Sequence, residues 1–203
     1  MLINLFLKNP IQFKQIEKTQ YVYFFIISLY STYTCYYVTD LTNMYYIMLI
    51  FLCCDFFYIP FNKIDSFIHH TVCIPFIFYP TLYSIPMESI YNYNVTFLKV
   101  EISSIFLSIG YFLRELKKTS NNKYITYTLH INNALFLSTF FKYRCYDFIY
   151  NIIFNKEFYQ DMIIPNSITS KIYVYFTIYP FLVLNIYWIY KIINVLLKNK
   201  IKA

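Results

Sequence analysis

Residues 42–83 read TNMYYIMLIFLCCDFFYIPFNKIDSFIHHTVCIPFIFYPTLY. Two apolar runs, Thr42–Pro60 and Ile64–Tyr83, are separated by one short polar break, Phe61-Asn62-Lys63. Each run has about the 20 residues that a helix needs to cross a bilayer. Transmembrane strands would instead alternate apolar and polar residues over about ten positions. The pattern therefore predicts two membrane-spanning helices joined by a tight connection.

Composition extends this prediction to the whole chain. Of the 203 residues, 59% are apolar and only 13% are charged, whereas a soluble domain carries about 25% charged residues. The net charge of +7 does not indicate nucleic acid, because the lysines gather between the apolar runs and so report topology.

Four further apolar runs follow the same pattern. We predict an all-α, polytopic transmembrane bundle of about six spans, in one domain over residues 21–196. A cytoplasmic or interfacial segment, 1–20, precedes this domain, and a basic cytoplasmic tail, 197–203, follows it. The predicted spans are Tyr21–Val38, Thr42–Pro60, Ile64–Tyr83, Asn94–Leu113, Tyr124–Phe141 and Ile172–Val195. Residues 145–158 would either lengthen the fifth helix or lie at the interface.

The distribution of Lys and Arg predicts the orientation. With six spans and a cytoplasmic N-terminus, most of these residues fall on the cytoplasmic side, as the positive-inside rule requires. Both termini are then cytoplasmic. We expect the endoplasmic reticulum or the plasma membrane, or a host membrane if the source is viral.

The five cysteines contain no C-x-x-C pair. Neither a zinc site nor a disulfide framework is indicated, and we predict no metal and no cofactor.

Charged side chains inside a span are costly, and they usually face the bundle interior and mark a functional site. Asp55, His69 and His130 each lie about 7–9 Å from the predicted cytoplasmic end of their spans, given a rise of 1.5 Å per residue. Asp65 and His69 are four residues apart and share a helix face, so that Asp65 could orient the imidazole. His70 and Glu101 are the other two such residues.

These residues have a structural interpretation as well. A buried hydrogen-bonded network would need no ligand, and His130 could lie at the membrane interface. Asn132, Asn133 and Ser104 are typical hydrogen-bonding residues between membrane helices.

The same residues, in order, resemble the TLC-domain family over about Tyr21 to Val195. The matching elements are an acidic residue ending one span, a His-His pair opening the next, an acidic-x-Ser motif, and an Asn followed by a Phe-rich stretch ending in Arg. Here they are Asp55 in CCDFFY, His69-His70 in DSFIHHTV, Glu101-Ile102-Ser103 in KVEISSIFL, and Asn132/Asn133 leading to Phe140-Phe141-Lys142-Tyr143-Arg144.

The resemblance implies a helical bundle around a lipid-sized cavity. Family members include ceramide synthases, which transfer an acyl group from acyl-CoA to a sphingoid base. Where those enzymes have a His-Asp-x-Ser-Asp element, this chain has Val100 for the histidine and Ser104 for the second acid. The chain therefore resembles the small TLCD-like branch more than the ceramide synthases.

The leading hypothesis is a lipid-handling or lipid-regulating membrane protein, with no commitment to catalysis. His69, His70 and Asp55 would contact the lipid in the cytoplasmic half of the cavity. Glu101 and Ser103 would contact it deeper, and Arg144 would lie at the far rim. The predicted lipid-binding set is Asp55, Asp65, Glu101, Ser103, His130, Asn133 and Arg144.

Two alternatives stay open. In an acyl-CoA-dependent acyltransferase, His69 and His70 would be catalytic, as base or acyl carrier, and acyl-CoA would be a co-substrate. In a non-catalytic adaptor or cargo receptor, the polar residues would be structural. The expected partners are membrane lipids, with a homo-oligomer or a membrane-protein partner compatible with the sequence and no nucleic acid.

Overall fold

The computed structural model describes residues 10–38, 42–58, 64–85, 90–120, 122–165 and 167–201. Within these ranges the chain forms helices and turns and no strand, which confirms the all-α prediction. The helices are α1 (Pro10–Tyr37), α2 (Thr42–Tyr58), α3 (Ile64–Leu82), α4 (Tyr91–Lys99), α5 (Ile102–Thr119), α6 (Lys123–Thr139), the π-helical segments Phe140–Asp147 and Ile149–Ile153, α7 (Lys156–Met162) and α8 (Ile168–Ile201).

Two stretches in the described part of the chain are long and apolar enough to cross a membrane. They are Tyr91–Thr119, which combines α4 and α5, and Ile168–Asn194 in α8. Thr42–Cys54 and Phe67–Tyr79 are shorter apolar helices. The six-span arrangement therefore stays a prediction. Helices α2 and α3 coincide with the second and third predicted spans, whereas α1 covers the first predicted span but already begins at Pro10.

The helices pack side by side in a ring. Helix α1 contacts α2, α2 contacts α3, and α3 contacts α8. On the other side, α1 packs on α4 and α5, and α5 packs on α6. Asn185 of α8 closes the ring, because its Nδ2 donates to the backbone oxygen of Arg144, 3.1 Å away, in the first π-helical segment.

Small polar side chains bring α1 close to α4. Ser28 and Ser31 are fully buried, and the Ser31 hydroxyl donates to the backbone oxygen of Leu98 at 3.1 Å. Small residues at helix contacts are typical of bundles in lipid, where close van der Waals packing replaces the hydrophobic driving force.

An aromatic core fills one end of the ring. Its buried members come from α3, α4, α7, α8 and the π-helical segments and include Tyr79, Phe148, Phe158 and Ile178. The Tyr79 hydroxyl donates to the backbone oxygen of Met162 at 2.6 Å and lies 2.5 Å from the Ser170 hydroxyl. This end of the bundle is therefore closed by packed side chains.

The fifth helix differs from its prediction. It does not end at Phe141 but continues through the two π-helical segments to Ile153. The polar residues that suggested an end have other roles, since Lys142 is exposed and pairs with Asp147 while Arg144 turns into the bundle. Of the two alternatives for residues 145–158, the structure favours the lengthened helix.

Candidate functional site

A cavity of about 630 Å³ lies inside the ring of helices. Side chains from α1 to α6, from the first π-helical segment and from α8 line it, and most of them are apolar. Its volume lies in the range of about 300–1,000 Å³ that is usual for small-molecule sites. Arg114 and Lys191 line it and are exposed, so the cavity reaches the surface beside them.

The cavity has a buried charged centre at Arg144, whose side chain is 5% exposed. Its Nε donates to the Ser103 hydroxyl at 2.9 Å, and its Nη2 donates to the Ser104 hydroxyl at 3.1 Å. Nη2 also lies 3.9 Å from Oε1 of Glu101. The guanidinium carbon is 5.2 Å from the ring centre of Trp188, which adds a cation–π contact.

The turn between α4 and α5 aims Glu101 and the two serines at this arginine. The amides of Val100 and Glu101 donate to the carbonyls three residues back, of Phe97 and Leu98, at 3.2 and 3.0 Å. This local tightening from the α-helical to the 3₁₀ pattern is common at functional positions in helices. Glu101, Ser103 and Ser104 are all buried on the resulting face.

The π-helical segment supplies the arginine from the opposite side. Arg144 lies within Phe140–Asp147, and its own carbonyl accepts the hydrogen bond from Asn185. π-Helical turns are rare and concentrate at functional sites. Two irregular helix turns thus face each other across the buried ion pair.

The cluster leaves two polar atoms without a hydrogen bond in the described part of the protein. They are Nη1 of Arg144, a donor, and Oε2 of Glu101, an acceptor. Buried polar atoms are nearly always hydrogen-bonded. The exceptions here belong to two side chains that line the cavity.

The histidine pair of α3 lies on the same cavity. His70 is 5% exposed. The His69 ring lies 5.5 Å from the Trp188 ring and 5.6 Å from the Phe181 ring, between centroids. Its Nδ1 is 3.5 Å from the sulfur of Cys73, one helical turn further along. His69 and Arg144 therefore both approach Trp188.

Six of the predicted site residues line this cavity: His69, His70, Glu101, Ser103, Asn133 and Arg144. His130 does not belong to this lining, and its side chain is exposed. It lies about two turns before Leu137, below the part of α6 that faces the cavity. The side chains of Asp55 and Asp65 lie outside the described residues, so the Asp65–His69 contact stays a prediction.

The position expected for Arg144 needs correction. The sequence predicts Arg144 at the far rim, because the fifth predicted span ends at Phe141, just before it. Because the helix continues, the side chain instead reaches the buried interior and pairs with Glu101.

Several lining residues were not predicted as site residues: Cys73, Ser104, Arg114, Trp188 and Lys191. Trp188 is the only tryptophan of the chain, but an aromatic residue near a helix end is also typical of a membrane interface. Arg114 and Lys191 follow the pattern of topology-setting charges. Among the described residues, no group of three His, Cys, Asp or Glu side chains could hold a metal ion.

Comparison with known protein families gives a match to the TLC domain over residues 19–194. The chain belongs to the TLC-domain family. The match covers most of the sequence and confirms the resemblance seen in the motifs. It includes every residue of the cavity lining, and it places this chain among membrane proteins with lipid-related functions. No curated protein and no solved structure gives a significant match.

Proposed function

We propose that this TLC-domain protein binds a membrane lipid in the cavity between its helices and so handles or regulates membrane lipids. The observation that carries the proposal is the cavity itself, an apolar space of about 630 Å³ with a buried Arg–Glu pair and two histidines on its walls. Apolar walls suit an acyl chain, and a few convergent polar groups fix the orientation of a ligand.

The proposed topology has about six spans with both termini in the cytoplasm. In that orientation Arg114 and Lys191 lie in the cytoplasmic halves of α5 and α8, so that the cavity opens toward the cytoplasmic leaflet. The aromatic core around Tyr79 lies toward the other side and supports a cavity with one entrance.

A second candidate function is an acyl-CoA-dependent acyltransferase. It is supported by the two imidazoles on the cavity wall, which have the chemistry of a general base or an acyl carrier. The acid–base equipment of ceramide synthases is nevertheless incomplete, because Val100 and Ser104 stand at two of its positions. Ser104 here accepts a hydrogen bond from Arg144 and so helps to hold the arginine in place. Lipid binding without turnover is therefore the favoured proposal.

The test is an untargeted lipidome of cells that make the wild-type protein or the double variant His69→Ala/His70→Ala. His130→Ala is the matched control, because that histidine is exposed and off the cavity. All three proteins are compared at equal membrane levels. We expect a lipid class that changes with the wild type and with His130→Ala but not with the double variant.

The other outcomes separate the alternatives. New N-acyl lipids that require acyl-CoA and disappear in the double variant would favour the acyltransferase. Identical lipidomes, together with a stable protein partner in mild detergent, would favour the adaptor and count against both lipid functions.

A further inference from the structure

We propose that the polar centre of the cavity binds an uncharged lipid group that both donates and accepts hydrogen bonds, an alcohol or an amide, in preference to a charged head group. This rests on the proposed function, because it names the chemistry of the lipid that would occupy the same cavity. Charge balance, unsatisfied atoms and the surrounding rings each support it.

The charges at this centre are already balanced. Arg144 and Glu101 are 5% and 6% exposed, and their side chains approach to 3.9 Å. A third charge brought to this depth would have no partner of its own, and an uncompensated buried charge is strongly unfavourable. An anionic head group would leave the site with a net negative charge, and a cationic one with a net positive charge.

The unsatisfied atoms call for one donor and one acceptor. Nη1 of Arg144 has a proton to donate and Oε2 of Glu101 accepts one. A hydroxyl group donates through its hydrogen and accepts through its oxygen, and a primary amide does the same with separate atoms. Phosphate and sulfonate groups offer only acceptors when ionised, so they would leave the Glu101 oxygen unsatisfied.

Protein groups already occupy most of the surroundings of the guanidinium. Ser103 and Ser104 take two of its N–H groups, and Phe140 and Trp188 lie against the guanidinium at 5.7 and 5.2 Å from their ring centres. The group that binds must therefore be small, and the rest of the ligand meets apolar walls such as Phe136 and Leu137.

The exposed cations at the opening do not change this preference. Arg114 is thirteen residues from Glu101 along the chain, which is about 20 Å of helix. Both Arg114 and Lys191 are exposed, where water and salt screen their charge. They attract an anion to the entrance but do not compensate one at the centre.

Trp188 provides the measurement, since it is the only tryptophan and lies on the cavity against Arg144. The full chain in detergent is titrated with four amphiphiles of one chain length, brominated at mid-chain, and quenching of Trp188 fluorescence is followed. Their head groups are a primary alcohol, a primary amide, a sulfonate and a trimethylammonium. Concentrations are expressed as mole fraction of the micelle, so that partitioning is taken into account.

We expect the alcohol and the amide to reach half-quenching at about tenfold lower mole fraction than either charged amphiphile, a difference of about 1.4 kcal/mol. Glu101→Gln leaves a net positive centre and should shift the preference to the sulfonate. Arg144→Gln leaves a net negative centre and should shift it to the trimethylammonium. Lys117→Gln changes an exposed cation of α5 that does not line the cavity, so this variant is the control and should leave the ranking unchanged.

Each of the other possible outcomes overturns a stated part of the inference. Equal or tighter binding of the sulfonate by the wild type overturns the inference and leaves a lipid-binding cavity in place. A neutral preference that neither Glu101→Gln nor Arg144→Gln alters overturns its assignment to the ion pair. The absence of saturable quenching by all four amphiphiles overturns the inference and the proposed function together. If one variant does not fold, the wild-type ranking and the other variant still decide.

Discussion

At the scale of single residues, Arg144 is held by contacts that offset the cost of burying its charge. Desolvation of an ion pair can exceed the attraction between its members, and the balance depends on the hydrogen bonds around it. Here two serine hydroxyls and two aromatic rings complete the environment of the guanidinium. The buried charges are therefore tolerated when Arg144 and Glu101 are both present, whereas either charge buried without the other would destabilise the protein.

A double-mutant cycle tests this interdependence. Arg144→Leu should lower the free energy of unfolding in detergent by about 3–5 kcal/mol, because it leaves Glu101 buried without its partner. Arg144→Leu combined with Glu101→Leu should cost clearly less than the sum of the two single changes, since no buried charge remains. Strictly additive losses in denaturant titrations would show that the two side chains do not interact.

At the scale of helices, one glycine sets the distance between α5 and α6. A Cβ placed on Gly110 would lie 2.9 Å from Nδ2 of Asn132. That nitrogen donates to the backbone oxygen of Phe106 at 2.8 Å. The absence of a side chain at Gly110 thus makes room for the amide that joins the two helices.

The effect of Gly110→Ala on the free energy of unfolding depends on two opposing contributions of similar size. Alanine gains about 1 kcal/mol of helix propensity over glycine, but it displaces the Asn132 amide and loses a hydrogen bond of about 1 kcal/mol. We expect almost no net change in the wild type. In an Asn132→Ala background the same substitution should stabilise by about 1 kcal/mol, as measured by unfolding in detergent. Equal effects of Gly110→Ala in both backgrounds would contradict the close approach of the Asn132 amide to Gly110.

Tyr79 joins three helices at the closed end of the bundle. Its hydroxyl bonds the backbone of Met162 at the end of α7 and the Ser170 hydroxyl in α8, while its ring packs against Tyr83. Tyr79→Phe should lower the free energy of unfolding by about 1–3 kcal/mol, since buried partners lose their hydrogen bond. Tyr83→Phe is the matched control in the same aromatic cluster. A similar loss in both variants would show that the effect does not depend on the hydrogen bonds of the Tyr79 hydroxyl.

At the scale of the whole molecule, the cavity is formed between the helices of the ring, and each helix supplies only part of its wall. Its walls bring together His69 from α3, Glu101 from the α4–α5 turn, Arg144 from the π-helical segment and Trp188 from α8. These side chains meet only if each helix has a particular position in the ring and a particular rotation about its own axis. The proposed membrane topology must therefore agree with the arrangement of the helices in the ring.

The topology can be tested in sealed microsomes. Tags at both termini should be accessible to protease added on the cytoplasmic side. A glycosylation acceptor inserted at Asn155, between the second π-helical segment and α7, should be modified, because this turn lies on the other side of the membrane in the proposed orientation. Protection of one terminus would indicate an odd number of spans and would remove the proposed cytoplasmic opening.

Much of the site could be read from the order of residues. His69, His70, Glu101 and Ser103 stand out because polar groups inside apolar runs are costly and are rarely without a role. His130 satisfies the same criterion but lies off the cavity, because the sequence does not show where along α6 the cavity wall begins. Arg144 was placed wrongly because the π-helical continuation past Lys142 has no signature in the hydropathy pattern.

By itself the sequence determined the helical class, the family and the set of polar residues from which the site is built. These depend on local composition, since the burial of an apolar run and the cost of a charge within it are properties of neighbouring residues. Only the tertiary structure decided that Arg144 pairs with Glu101 and that Trp188 contacts both Arg144 and His69. Those contacts join residues 40 or more positions apart, and they depend on helix rotation and close packing that no local pattern records.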